Sequence, residues 1–154
     1  MDTIINKVEA ALQAALSVPL GPSIPVYVSD FGAIKDPMPY VVVHGDGYTE
    51  EIAPGCGIYK ITVQVMLRSH VKEDDPDQRD AAVNAINEFM HQKNVATPAS
   101  ARLQAAVTLS RTPEVPDLYV HGFVPTSGSM RVNQEYKAYE YLVSCDLYCM
   151  PRPN

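Results

Sequence analysis

The sequence has no tryptophan, only three cysteines in 154 residues, and no apolar run near the roughly 20 residues that span a bilayer. Three irregularly spaced cysteines are too few for a disulfide framework, which favours a reducing cytoplasm during synthesis. Met1–Thr3 is not basic and Glu9 interrupts the apolar segment that follows. We therefore expect neither a signal peptide nor a membrane partner.

Positive charge is also scarce, because 12 Lys and Arg residues face 18 Asp and Glu residues, for a formal net charge of −6. Such an excess of negative charge argues against a surface that binds nucleic acid through its phosphates. Hydrophobic residues make up 46% of the chain, so it is not disordered by composition. At 154 residues without an internal repeat, we expect residues 1–154 to form a single domain.

Catalytic and cofactor-binding motifs are missing as well. The sequence contains no Gly-x-Ser-x-Gly elbow, phosphate loop or dinucleotide fingerprint. The histidines at 44, 70, 91 and 121 are scattered, and none form the i,i+4 pair of a helical metal site. Cys145 and Cys149 would share a strand face about 13 Å apart, too far for one zinc ion or a disulfide, so buried apolar roles are favoured. We predict no catalytic residue, cofactor or metal site.

The clearest structural pattern is the alternation over Gly57–Arg68, which predicts a half-buried strand whose second face meets water or a partner. The inward positions are Tyr59, Ile61, Val63, Val65 and Leu67. An acidic turn follows, with Asp75 at the N-cap, Pro76 at the first helical position and Gln78 placed to reach back. We predict a helix over about 76–92, with Val83, Ile86, Phe89 and Met90 on its apolar face.

Further helices and strands are predicted before and after this strand, turn and helix. A helix spans Ile4–Leu16 and is stopped by the prolines that follow from Pro19. The predicted strands are Val26–Val28, Tyr40–His44, Tyr48–Ile52, Leu118–Val124 and Glu135–Met150. A turn is predicted at residues 44–47, and a loop at 53–57 returns Tyr48–Ile52 into the long strand as a hairpin. Residues 126–129 form a mobile connection, and no strand is expected to continue through Pro151. Residues 98–106 form either a short helix or a loop leading into a strand at 107–110.

The predicted fold class is α+β, a mainly antiparallel sheet with a β-hairpin, packed against an N-terminal helix and a second helix. Its order is an N-terminal helix, Pro25–Val28, Met38–Val43, Tyr59–Val65, an acidic turn, the helix Ala81–Met90 and a late strand. In this order the chain resembles the tail terminator (tail completion) proteins of long-tailed bacteriophages and the related small neck proteins. The resemblance covers nearly the whole chain and lies in the pattern of elements.

The resemblance implies a structural virion protein, assembled in the host cytoplasm, that forms a homo-oligomeric ring, six-fold in that family. The ring would cap the tail tube, bind the tube protein and the head-side connector, and let DNA pass without sequence-specific binding. The acidic net charge suits such a channel, because like charge opposes phosphate binding.

Charged loops at the ends of elements are the candidate contact residues, because docking surfaces are commonly built there on a rigid scaffold. They are Glu50 and Glu51 in the hairpin, and Lys72, Glu73, Asp74 and Asp75 in the acidic turn. We expect the hairpin segment Gly45–Gly57 to project from the body. Two alternatives stay open: another phage neck or connector protein of the same architecture, and a small cytoplasmic enzyme that uses His44 or His121 with a nearby carboxylate.

Overall fold

The computed structural model describes residues 4–28, 37–50, 57–71, 75–91, 117–135 and 137–152. Within them the elements are α1 (Ile4–Leu20), β1 (Val26–Val28), β2 (Tyr40–Glu50), β3 (Tyr59–His70), α2 (Pro76–His91), β4 (Asp117–Asn133) and β5 (Ala138–Arg152). The segments predicted at 98–106 and 107–110 lie outside the described residues.

The strands form one sheet in the order β1-β2-β3-β5-β4. The short β1 runs parallel to β2, and every other neighbouring pair is antiparallel. The predicted α+β class with a mainly antiparallel sheet, an N-terminal helix and a second helix is therefore confirmed, and β2 and β3 form the expected hairpin.

Both helices pack on one face of the sheet and bury the main core. Ile61, Val63, Val65 and Leu67 of β3 join this core, as the alternation predicts. The α2 positions Ile86 and Phe89 are fully buried there. Phe89 also meets Phe123 of β4 edge to face, with ring centroids 5.9 Å apart.

The end of α1 differs slightly from the prediction. The helix passes through Pro19 and ends at Leu20, because a proline in the last turn interrupts little of the hydrogen-bond ladder. Gly21 then adopts a positive φ of 78°, and its N–H donates to the Ser17 carbonyl at 3.1 Å. A left-handed glycine after the last turn is the usual helix C-cap.

The turn predicted at residues 44–47 is wrong. β2 is one strand from Tyr40 to Glu50, and the extra residue is absorbed as a bulge between Gly45 and Gly47. Glycine and aspartate permit a turn, but the cross-strand ladder to β3 continues on both sides of the bulge. Residues 45–50 thus belong to the sheet rather than to a projecting loop, whereas residues 51–56 lie outside the described part.

The predicted mobile connection at residues 126–129 is also wrong. β4 is continuous through it and pairs with β5, with a bulge between Pro125 and Ser127. The small polar residues have weak strand propensity, but pairing with a neighbouring strand overrides propensity.

β5 in turn continues through Pro151 to Arg152, against expectation. Its ladder to β3 has already ended at Cys149, and a proline is tolerated where a strand has one free side.

Candidate interaction surface

A row of polar side chains crosses the sheet on the face opposite the helices. Tyr40, Arg68, Glu140 and Arg131 are cross-strand neighbours on β2, β3, β5 and β4. Arg68 donates from Nε (2.9 Å) and Nη2 (2.7 Å) to Oε2 of Glu140, and from Nη1 to the Tyr40 hydroxyl (2.7 Å). Oε1 of Glu140 accepts from Arg131 Nε at 2.8 Å and from Asn133 Nδ2 at 3.4 Å. Both oxygens of the buried carboxylate are thus satisfied.

Burial in this row corrects, for the Met66–Arg68 end of β3 only, the expectation that the second face of the long strand meets water or a partner. Lys60, Thr62 and Gln64 on the same face are half-buried. Arg68 and Glu140 are buried, as is Met66, which clusters with Tyr40 and Val42. Burial by itself raises the pKa of the Glu140 carboxyl, but hydrogen bonds and positive charge from Arg68 and Arg131 outweigh it and lower that pKa overall. Burial opposes the charge of Arg68 as well, yet its bonds to Glu140 and Tyr40 raise its pKa. The row is a charged structural element within the sheet.

The outer strand β4 is the most exposed part of the sheet. It is the last strand of the described sheet, and from Thr126 to Val132 every residue is exposed. Met130 and Val132 are about half exposed although they are apolar, at 51% and 47%. Arg131 is the only residue with a formal charge between Asp117 and Glu135, and its side chain is 58% exposed. Long exposed edge strands with little charge favour pairing with another strand.

Two of the six predicted contact residues, Glu50 and Asp75, lie within the described part of the chain. Glu50 ends β2 opposite Tyr59, where the hairpin leaves the sheet. Asp75 is exposed and caps α2 as predicted, with Oδ1 3.0 Å from the backbone nitrogen of Asp77. Gln78 does not close a capping box but donates to Ser23 Oγ at 3.5 Å. Glu51, Lys72, Glu73 and Asp74 lie outside the described residues.

The two described contact residues therefore lie at separate places, Glu50 at the end of β2 and Asp75 at the start of α2. The sequence alone does not predict the exposed β4 edge, because small polar residues such as those at 126–129 favour a connection. The signal available in the sequence was a long stretch with only one charged residue, directly before the alternating β5.

The histidine that the enzyme alternative requires does have a carboxylate nearby. His44 Nε2 lies 3.8 Å from Asp46 Oδ1, and both side chains are partly exposed. An open cleft of about 340 Å³ beside them is lined by Asp46, Gly47, Tyr48, Thr49, Lys60 and Thr62. Thr62 Oγ1 donates to Asp146 at 3.0 Å. The enzyme alternative calls for a deep pocket, and this open cleft is not one.

The two cysteines of β5 are buried in the core, as predicted. Burial raises the pKa of Cys145 to about 12, with a further contribution from the charge of Asp146, and burial raises the pKa of Cys149 to about 12. Thiols with such values are protonated and unreactive near neutral pH.

Over the described ranges no group of three or more His, Cys, Asp or Glu side chains is arranged to hold a metal ion. In the same part of the chain no helix is long and apolar enough to cross a membrane. Comparison with known proteins finds no family model that matches this sequence, and no curated protein matches it significantly.

Proposed function

We propose that this protein is a structural component of a long-tailed phage, a tail-terminator-like subunit that assembles into a ring and acts by contact. The ring caps the tail tube and joins it to the head-side connector. The observation that carries the proposal is the exposed edge of β4, where seven consecutive residues are exposed and the outer side of the strand has no partner among the described strands.

The order of elements supports the same proposal. The chain runs helix, short strand, hairpin, helix, hairpin, and the second hairpin supplies the late strand of the phage resemblance. Subunits that associate through two different surfaces close into a ring when the rotation between neighbours permits. The sheet with helices on one face then fixes the strand and helix ends from which the contact segments start.

Ring closure would present one set of loops to the last layer of the tube and another set to the connector, so that tube growth stops. The end of the hairpin at Glu50 and the acidic turn before Asp75 are the proposed contacts. Exposed charges at such a rim chiefly tune the rate of association and its salt dependence.

Two experiments test the proposal. Electron microscopy of the purified protein should show rings with a central hole. Deletion of the gene from its phage should give unjoined heads together with overlong or unfinished tails. Heads and tails that are made and joined normally without the gene would refute the proposal. Normal tails that fail to attach would instead favour the alternative of another neck or connector protein.

A further inference from the structure

We propose that neighbouring copies of this chain pair edge to edge. In this arrangement β4 of one copy lies antiparallel beside the Asp46–Tyr48 part of β2 in the next copy, in line with β1, which covers β2 only at Val41–Val43. The inference rests on the proposed ring and names its subunit interface.

The exposed backbone of β4 is the first argument. β5 covers only one side of β4, and no other described strand lies on its outer side. The Thr126–Val132 part is exposed and contains no lysine, acidic residue or proline. Those are the residues that usually protect a sheet edge, so the stretch of β4 that follows the bulge at Pro125–Ser127 is suited to strand addition.

The directions of the strands are the second argument. β2, β3, β5 and β4 alternate in direction across the sheet, so β2 and β4 run opposite to each other. A second copy placed beside the first in the same orientation therefore brings its β4 antiparallel to β2 and to β1. Continuing the sheet from copy to copy needs no inversion of a subunit, which is the condition for a head-to-tail ring.

Complementary charge is the third argument, and it selects a second copy as the occupant. The β4 edge carries Arg131, whose Nε is held by buried Glu140 while the side chain stays 58% exposed. The opposite edge carries Asp46, whose side chain is 47% exposed. β1 pairs only with Val41–Val43, so within the described residues no strand covers the outer side of Asp46, Gly47 and Tyr48. The β4 edge thus carries an exposed guanidinium and the opposite edge an exposed carboxylate, which can attract each other between copies.

The test uses two edge variants and one control. Ser129→Lys with Met130→Lys places two ammonium groups on the β4 edge, and Asp46→Lys reverses the charge of the opposite edge. Val18→Lys, at an 82% exposed position on α1, adds a charge away from both edges. Masses are measured by light scattering after size exclusion, with electron microscopy for rings and circular dichroism for folding.

We expect rings for the wild type and for Val18→Lys, and the monomer mass of 16.9 kDa for each edge variant alone. Mixing the two edge variants should give a dimer, because one intact edge of each kind remains. If the β4 variant does not fold, Ser129→Lys alone replaces it.

The other outcomes separate the two proposals. A wild type that stays monomeric at all concentrations refutes the ring itself. Rings that persist in either edge variant refute the edge pairing and leave the ring intact. A stable dimer of Asp46→Lys alone, or a mixture that stays monomeric, shows that the two edges are not complementary and also refutes the inference.

Discussion

The carboxylate of Glu9 in α1 accepts a hydrogen bond from the backbone N–H of Gly45 in β2, with Oε2 3.0 Å from the nitrogen. Glu9 is buried, so the bond joins the helix to the strand at the position where the β2 bulge begins. A Cβ atom at Gly45 would collide with Cγ2 of Ile5 and contact the Glu9 side chain. The close approach of α1 therefore requires glycine at this position.

Gly45→Ala should destabilise the protein by about 1–3 kcal/mol, the usual cost of forcing an extra carbon into a packed site. Gly47→Ala is the matched control, because a Cβ there meets nothing within 4 Å. Denaturant unfolding measures both. Adding Ile5→Ala should recover part of the loss at Gly45, since it removes the colliding methyl group. Equal stabilities of the two alanine variants would show that α1 does not approach β2 this closely.

Phe89→Ala should lower the free energy of unfolding by about 3–5 kcal/mol, the range for a buried phenylalanine. Phe89 is fully buried and contacts the ring of Phe123. Val18→Ala, at an exposed position of α1, should change stability by less than about 0.5 kcal/mol. A loss below about 1 kcal/mol at Phe89 would mean that this face of α2 points away from the sheet.

Glu140→Gln should cost about 3–5 kcal/mol at pH 7, because it leaves the buried Arg68 guanidinium without a counter-charge. Asp80→Asn is the control, since the Asp80 carboxylate is 66% exposed and its pair with Arg79 should contribute no more than about 1 kcal/mol.

The buried pair of Glu140 and Arg68 also predicts that the stability depends on pH. The pKa of Glu140 is lowered in the folded state, so the unfolded state binds more protons as the solution becomes acidic. The stabilisation that ionised Glu140 contributes is present above the ordinary glutamate pKa of about 4.3. It is lost as pH falls through the pKa of Glu140 in the folded state. The stability gap between wild type and Glu140→Gln should therefore narrow below about pH 4. A gap that stays constant down to pH 2 would contradict an ionised Glu140.

Cys145 and Cys149 should resist thiol reagents in the folded protein. In a Cys56→Ser background at pH 8, Ellman's reagent should detect both thiols only after unfolding. Because the folded pKa values are about 12, thiols ionise in the unfolded state first, and stability should fall as pH rises from about 9 towards 12. The variant with alanine at both positions should show a shallower fall. Rapid labelling of native protein would show that β5 does not bury these side chains.

Charge reversal in the acidic turn should weaken the joining of heads to tails more than it weakens folding. Glu73→Lys with Asp74→Lys tests this without touching the helix cap. Asp75→Lys is less informative, because Asp75 caps α2 and losing a cap costs about 1 kcal/mol. Asp75→Asn removes the charge and keeps an N-cap acceptor. Joined particles are counted by microscopy, and unchanged joining by the double variant would remove this turn from the contact surface.

Local patterns were sufficient to predict much of the fold. The alternation in Tyr59–Leu67 and the Asp75-Pro76 signal depend on neighbours in sequence, and both match the structure. The bulge at Gly45 was not predictable, because the same residues suit a turn and only pairing with β3 decides between them. The strand at 126–129 depends in the same way on β5.

The candidate surface was less predictable than the fold. Nothing local distinguishes Arg68 from a solvated strand residue, since its partner Glu140 is 72 residues away. The exposed edge at Met130 follows only from the strand order, which places β4 last although it precedes β5 in the chain.

The row from Tyr40 through Arg68 and Glu140 to Arg131 has a consequence for how the chain reaches its native state. A slip of one residue in any of the four strands would turn that strand's member of the row to the helix face. A slip in β3 or β5 would leave Arg68 or Glu140 without its partner in a buried place, at a cost of several kcal/mol. A slip in β2 or β4 would instead remove the hydrogen bond that Tyr40 or Arg131 makes to this pair. The row therefore favours the native register of the strands during folding.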